Sequence, residues 1–186
     1  QGYSSAASDV YKRQPGTTVT EIRAKSRRML HNKEKAIIIL DYLQLVSPPP
    51  GRRSESRTVE VSEMSRGLKI MAKELKIPLI ALSQLSRQVE SRTGKRPQLS
   101  DLRESGSIEQ DADMVLFLDR PAMYGRTEID AGRYGTISAE GVGLLHIAKN
   151  REGATGSIVF RHNESMTRIA DYDDPATDAI GDVGPF

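Results

Sequence analysis

Ala36-Ile37-Ile38-Ile39-Leu40-Asp41-Tyr42-Leu43-Gln44-Leu45-Val46-Ser47 is the stretch on which the reading of this chain turns. Four apolar residues, Ile37 to Leu40, run without a break into Asp41, and three of them are β-branched. Such a run reads as a strand buried on both faces, as in the middle of a parallel sheet. Asp41 then sits at the C-terminal strand end, where open α/β sheets bind ligands. A carboxylate is costly to bury without a partner. Hydrated Mg²⁺ on a nucleotide phosphate is the usual one, in the arrangement called a Walker B strand. The other reading is a buried strand ending in a turn-forming Asp.

The rest of the chain gives this strand a setting. At 186 residues there is room for one domain with a real core. A hydrophobic content of 37% with 28% charged residues is that of an ordinary globular protein. No apolar run approaches the length of a membrane helix, and no signal-peptide pattern opens the chain. Without cysteine there is neither a disulfide framework nor a thiolate metal site, and His31, His146 and His162 lack metal-ligand spacing, so they read as surface or packing residues. The net charge of +2 is uneven. Residues 171–186 carry five aspartates and no base, and the body before them is basic, a distribution compatible with nucleic acid. Three Phe and no Trp argue against an aromatic stacking platform.

Ahead of the opening strand, residues 1–14 read as a polar leader outside the fold, ending at the turn signal Pro15-Gly16. Thr18 or Thr20 can cap a basic helix through about Leu30. Beyond the strand, Ser47 to Arg57 is a Pro-stiffened loop. Val61, Met64, Leu68, Met71 and Leu75 then recur at spacings of three and four, which predicts a long amphipathic helix. Pro78 follows it, and Leu79 to Leu82 makes a second apolar strand. Two such strands joined by a helix form a parallel βαβ unit. Ser86 to Ser100 reads as an exposed basic loop, and Ser100 and Ser107 begin helix-start signatures. Met114 to Leu118 is a third apolar strand closing on Asp119, and Arg120 to Glu140 reads as a polar loop. Val142–Ala148, Ser157–Arg161 and Met166–Ala170 read as antiparallel strands, with a turn over residues 150–156 between the first two. The acidic end, from about residue 173, is expected to be disordered.

Chemistry gathers at strand ends and at one hairpin. In a parallel sheet Asp41 and Gln84 lie on the same edge, where an uncharged amide can orient a water or sense a phosphate. Lys149 and Arg151, two apart, point the same way from an extended backbone, a pairing suited to phosphate. Each has a plainer reading, a strand end without a role and an exposed basic hairpin tip. Gly106, beside Arg103 and Ser105 at a helix start, offers backbone N–H groups to an anion, and Arg87, Arg96 and Arg103 could line a phosphodiester backbone. No GxSxG, HExxH or phosphate-cradling GxxxxGK[ST] occurs.

Four strings, AIIILDYLQLVS (36–47), EVSEMSRGLKIMAKELKIPLIALSQLSRQVESR (60–92), KRPQLSDLRESGSIEQDADMVLFL (95–118) and IAKNREGATG (147–156), together closely resemble the DnaB-type replicative helicases. The resemblance spans about residues 15–172. It implies an α/β, RecA-like fold: a parallel central sheet flanked by helices, with a C-terminal antiparallel extension. It also implies an ATP-dependent DNA helicase of the bacterial or phage replisome in the cytoplasm, a homo-hexamer on single-stranded DNA that works with ATP, Mg²⁺, primase and a helicase loader, with no membrane.

Position by position, Asp41 resembles the Walker B acid on Mg²⁺ and Gln84 the switch glutamine between γ-phosphate and DNA. Lys149 and Arg151 resemble the pair that reaches a neighbouring subunit's ATP, with Arg151 as arginine finger. Arg87, Arg103, Glu104 and Gly106 match positions that grip DNA. The family's Walker A loop and water-activating glutamate have no counterpart here, so the chain reads as the C-terminal part of a motor and is expected to lack ATPase activity by itself. Two other readings stand beside this one: a RecA-class recombination or repair ATPase, and a catalytically inactive single-stranded DNA-binding module.

Overall fold

The structure, a computed structural model, describes residues 16–31, 35–48, 56–86, 88–92, 96–165 and 167–173. The leader expected over residues 1–14, most of the Pro-rich loop and nearly all of the acidic end lie outside the described residues. The chain forms two compact units, residues 1–84 and residues 85–186.

The first unit runs α1 (Val19–Leu30), β1 (Ile38–Leu40), α2 (Arg57–Leu75) and β2 (Leu79–Ala81). Thr18 is the N-cap of α1 and forms a full capping box with Glu21: the Glu21 N–H donates to the threonine hydroxyl, and the Thr18 N–H donates to the Glu21 carboxylate at 2.8 Å. The backbone and side-chain hydrogen bonds from Thr18 hold the Glu21 carboxyl below its usual value. α2 buries Val61, Met64, Leu68 and Met71, four of the five residues in the expected stripe. The two helices meet closely, because a Cβ at Gly67 would lie 3.2 Å from Val19 Cγ1. Glu74 lies 3.6 Å from Arg23 and 3.5 Å from Arg27.

β1 and β2 pair in parallel, Ile38 with Leu79, Ile39 with Ile80 and Leu40 with Ala81. The expectation of a strand buried on both faces is corrected: Ile39 is 64% exposed, and Ile37, Ile80 and Leu82 are also exposed. Successive side chains of a strand point to opposite faces. The described residues of this two-stranded unit cover only the face of Ile38, Leu40 and Leu79, which are partly buried.

Helix α2 ends at Lys76, whose φ of +54° is left-handed, a conformation that costs any residue with a Cβ. Lys76→Gly is expected to raise the free energy of unfolding in urea by about 0.5–1 kcal/mol. A midpoint that stays put or falls, at unchanged slope, would contradict this.

The second unit begins with the single turn α3 (Gln88–Ser91), a 3₁₀ segment over Leu99–Ser105 and the short α4 (Gly106–Asp111). Its main sheet is antiparallel in the order β3 (Met114–Asp119), β6 (Val142–Asn150), β7 (Gly156–His162), β8 (Ile169–Asp171). Burial alternates along β3, with Val115, Phe117 and Asp119 inside and Met114, Leu116 and Leu118 outside.

The polar loop expected over Arg120–Glu140 is corrected. It holds a 3₁₀ turn, Pro121–Tyr124, and a hairpin of β4 (Glu128–Asp130) and β5 (Thr136–Ser138), with Ile129 opposite Ile137. Ile129, Ala131 and Ala139 pack with Val142, Leu144 and Val159 into a core. Single apolar residues among polar ones are enough to anchor strands of three residues, and they leave too short an alternation to read. The Ser86–Ser100 loop is likewise only partly exposed, since it contains α3 and the buried Val89. Among the described residues no helix is long and apolar enough to cross a membrane.

Candidate functional site

Asp41 follows β1 directly and Gln84 follows β2 by three residues, so the parallel register puts both beyond the C-terminal ends of the two strands. Backbone bonds continue the pairing past the strands: the Leu82 N–H donates to Leu40 O at 2.9 Å, and the Leu43 N–H to Leu82 O at 2.8 Å. Asp41 is exposed rather than buried, and its carboxylate makes no hydrogen bond or ion pair with the described residues. Its two oxygens therefore face solvent at the sheet edge. That suits Mg²⁺, which is bound through one or two carboxylates together with phosphate and water. Among the described residues no group of three or more metal-ligating side chains is assembled, so the site fits one-carboxylate binding and not an all-protein cage.

A residue missed in the sequence holds Gln84 in place. Gln44 Nε2 donates to Ser83 Oγ at 3.1 Å and to the Gln84 carbonyl at 3.3 Å, and Gln44 Oε1 accepts from the Gln84 N–H at 3.3 Å. This two-way amide clamp fixes the Gln84 backbone and leaves its side chain exposed. The Gln44 carbonyl in turn accepts from Arg57 Nη2 at 2.9 Å. Its one available signal was position, three residues after Asp41 on the same strand-end turn.

In the second unit, Lys149 and Arg151 reach the same place. Lys149 Nζ donates to the Glu109 carbonyl at 2.5 Å and Arg151 Nη2 to the Gln110 carbonyl at 2.5 Å, both in the last turn of α4. The negative end of a helix attracts cations. Arg151 also donates its backbone N–H to Asp113 O at 2.9 Å, and its Nη1 lies 3.5 Å from Asp113 Oδ1.

Arg103 and Glu104 belong to the 3₁₀ segment and Gly106 opens α4, so three of the four residues expected to grip DNA occupy one continuous stretch of backbone. Arg87 lies outside the described residues. That stretch is shaped by Asp101, which carries no motif in the sequence. Asp101 is buried and accepts from Arg92 at 2.7 and 3.1 Å and from the Gln98 N–H at 2.7 Å. Arg92 Nη1 also donates to the Arg96 carbonyl, and the Ser86 N–H to Asp101 O. The hydrogen bonds from Arg92, reinforced by the Gln98 N–H, hold the Asp101 carboxyl below its usual value against the opposing effect of burial.

A second buried acid, Asp119, ends β3. Its Oδ2 lies 2.5 Å from Arg126 Nη2 and 3.6 Å from His146 Nε2. His146 is a packing residue: its Nδ1 lies 2.6 Å from Ser157 Oγ and 3.3 Å from Arg96 Nη2. His146 Nε2 is the ring nitrogen that faces Asp119. Burial pushes the Asp119 carboxyl up, but hydrogen bonds and charge from His146 and Arg126 outweigh it and leave it below its usual value.

Comparison with known proteins places this geometry in a family. The sequence profile described as DnaB-like helicase C terminal domain matches residues 4–171. The replicative DNA helicase DnaB of Mycobacterium intracellulare is 46% identical over 84% of this chain and 25% of its own length. That of Geobacillus stearothermophilus is 49% identical over 77% of this chain and 30% of its own length. The chain thus spans between a quarter and a third of these relatives. Among solved structures, one described as an ATPase domain superposes with a TM-score of 0.74 at 39% identity, covering 84% of this chain and 52% of that one. A structure described as a DnaB-like replicative helicase and its interactions with primase superposes at 0.73 and 39%, covering 85% and 36%. The chain belongs to the DnaB-like helicase C-terminal domain family.

Proposed function

We propose that this segment is part of the motor of a replicative DNA helicase, which couples ATP hydrolysis to 5′-to-3′ movement along single-stranded DNA and unwinds duplex during replication. The observation that carries the reading is the pairing, at one sheet edge, of an exposed carboxylate free of protein partners among the described residues, Asp41, with Gln84 on a clamped backbone. The motor segment is assigned to residues 15–172, with an acidic tail beyond it. The intact protein works as a homo-hexamer in the bacterial or phage cytoplasm, with primase and a loader as partners.

In this reading ATP with Mg²⁺ supplies the phosphoanhydride to be cleaved and a cation that offsets developing phosphoryl charge. Asp41 would be the residue that holds the metal. Gln84 orients the attacking water, or reports the γ-phosphate to the DNA side, from a backbone that Gln44 prevents from drifting. Lys149 and Arg151 stabilise charge on the nucleotide of the adjoining subunit, the lysine as a point charge and the arginine as a planar fork. Arg87, Arg103, Glu104 and Gly106 contact the DNA backbone.

Two measurements on the isolated chain test this. Fluorescence anisotropy with a dT20 oligonucleotide is expected to show binding whose affinity falls as salt rises. Arg103→Ala is expected to weaken that binding by roughly tenfold, the scale of one charge-assisted phosphate contact. No binding at low salt, or binding indifferent to Arg103, overturns the DNA assignment. Mg²⁺-dependent ATP hydrolysis by the chain alone is expected to be absent, since its sequence holds no phosphate-cradling loop; measurable turnover contradicts that.

A further inference from the structure

The two cations assigned to phosphate, Lys149 and Arg151, are not pointing into open solvent: both are tied to the C-terminal carbonyls of α4, Glu109 O and Gln110 O. The N-terminal residue of the same helix is Gly106, and the helix has only six residues. At 1.5 Å per residue, roughly 9 Å separates the two ends, too short a rod to bend. A shift or rotation at one end is therefore delivered to the other.

The geometry points to α4 as a latch: it holds Lys149 and Arg151 back while the 99–106 stretch is empty, and nucleic acid bound along that stretch releases them. This deepens the proposed function and rests on it. Two features support the latch. The bonds of Lys149 and Arg151 run to backbone carbonyls, so they depend on where α4 sits and not on any α4 side chain. The hairpin base is tied to the helix exit, because the Arg151 N–H donates to Asp113 O. The contact between Arg151 Nη1 and Asp113 Oδ1, 3.5 Å apart on two exposed side chains, is weak. Coupling of this kind between two sites is typically 5- to 150-fold, and it is reciprocal.

Lysine reactivity reads the latch directly. The full chain is treated with a trace of N-acetoxysuccinimide, and acetylation of each lysine is followed by mass spectrometry. Lys73 and Lys76, exposed on the other unit, serve as internal references. In the free chain Lys149 is expected to react at least about fivefold more slowly than they do. Saturating dT20 is expected to raise its rate by about fivefold or more, leaving the references unchanged. Gln110→Pro, which distorts the exposed last turn of α4, should speed Lys149 without DNA while Lys73 and Lys76 hold their rates, a selectivity that general loosening of the fold does not give.

A Lys149 that reacts as fast as the references in the free chain overturns the latch. So does one that stays slow when anisotropy shows dT20 bound. If dT20 does not bind at all, the DNA assignment fails and the trigger with it. The slow reaction of Lys149 in the free chain then still separates that failure from an absence of the α4 contacts.

Discussion

Replacing Arg126 by alanine is expected to cost the second unit about 3–5 kcal/mol of stability at pH 7, the scale for stranding one partner of a buried ion pair. Asp119 is 1% exposed, and the Arg126 guanidinium lies 2.5 Å from its carboxylate. His146 Nε2 lies farther off, at 3.6 Å. Removing Arg126 leaves a buried carboxylate without its nearest donor.

Two companion measurements tie the loss to this cause. The double change Asp119→Leu with Arg126→Met removes both charges, and buried pairs replaced by apolar residues of similar size are often neutral or better. It is expected to recover most of the loss. If it is no better than Arg126→Ala, packing of the arginine and not its charge is what matters.

The pH dependence supplies the second measurement. In the wild type the Asp119 carboxyl is held below its unfolded value of about 3.8. Its contribution is therefore present above about pH 4 and lost as pH falls through the lower folded value. In the Arg126→Ala chain the hydrogen bond and charge of the arginine are gone, so the folded value rises. The variant's deficit is therefore expected to be largest at neutral pH and to shrink towards pH 4 as the carboxyl takes up a proton. Urea midpoints at pH 4, 5.5 and 7 read this difference.

Which of these features the sequence displayed, and which it hid, follows from distance along the chain. The run Ile37–Leu40, the stripe of α2 and the strands around residues 142–161 are local patterns, and the structure has elements at those places. The exposure of Ile37 and Ile39 is not a local property, since a strand's apolar content does not say what lies against each face. Hairpin β4–β5 escaped for another reason, its two facing residues Ile129 and Ile137 being isolated among polar neighbours. Asp119, Arg126 and His146 carry no motif. They meet because β3 and β6 are antiparallel, with Asp119 opposite Leu144, which brings a residue 27 positions later to the same end of the sheet. Gln44 and Gln84 meet across 40 positions for the corresponding reason in β1 and β2. The spacing of Lys149 and Arg151 was visible. Their attachment to α4 was not, because it depends on the register shift between Val115 and Leu116 and on carbonyls, which every residue has.

The second large effect concerns those carbonyl-bound cations. In a full-length helicase that contains this segment, Arg151→Ala is expected to lower the rate of ATP hydrolysis by about 10³-fold or more, the range seen when an arginine finger is lost. Arg151 is half exposed, and so is Asp113 beside it, so the ion pair between them is worth little in water. A phosphate with two oxygens in the plane of the guanidinium offers more, which makes exchange of partners favourable. Arg151→Lys is expected to restore little of the rate, because an ammonium keeps the charge but not the fork. Mixed rings distinguish a finger that acts on the next subunit from one that acts on its own. Asp41→Asn and Arg151→Ala subunits are each expected to be inactive alone. Combined in equal amounts they form some interfaces in which an intact Asp41 on one subunit meets an intact Arg151 on its neighbour, about a quarter of them if assembly is random in a head-to-tail ring. Recovery of ATP hydrolysis towards that fraction places Arg151 in the neighbouring subunit's site. A mixture as inactive as its components would mean that both residues serve one nucleotide within one subunit, and the assignment of Arg151 across the interface would be wrong.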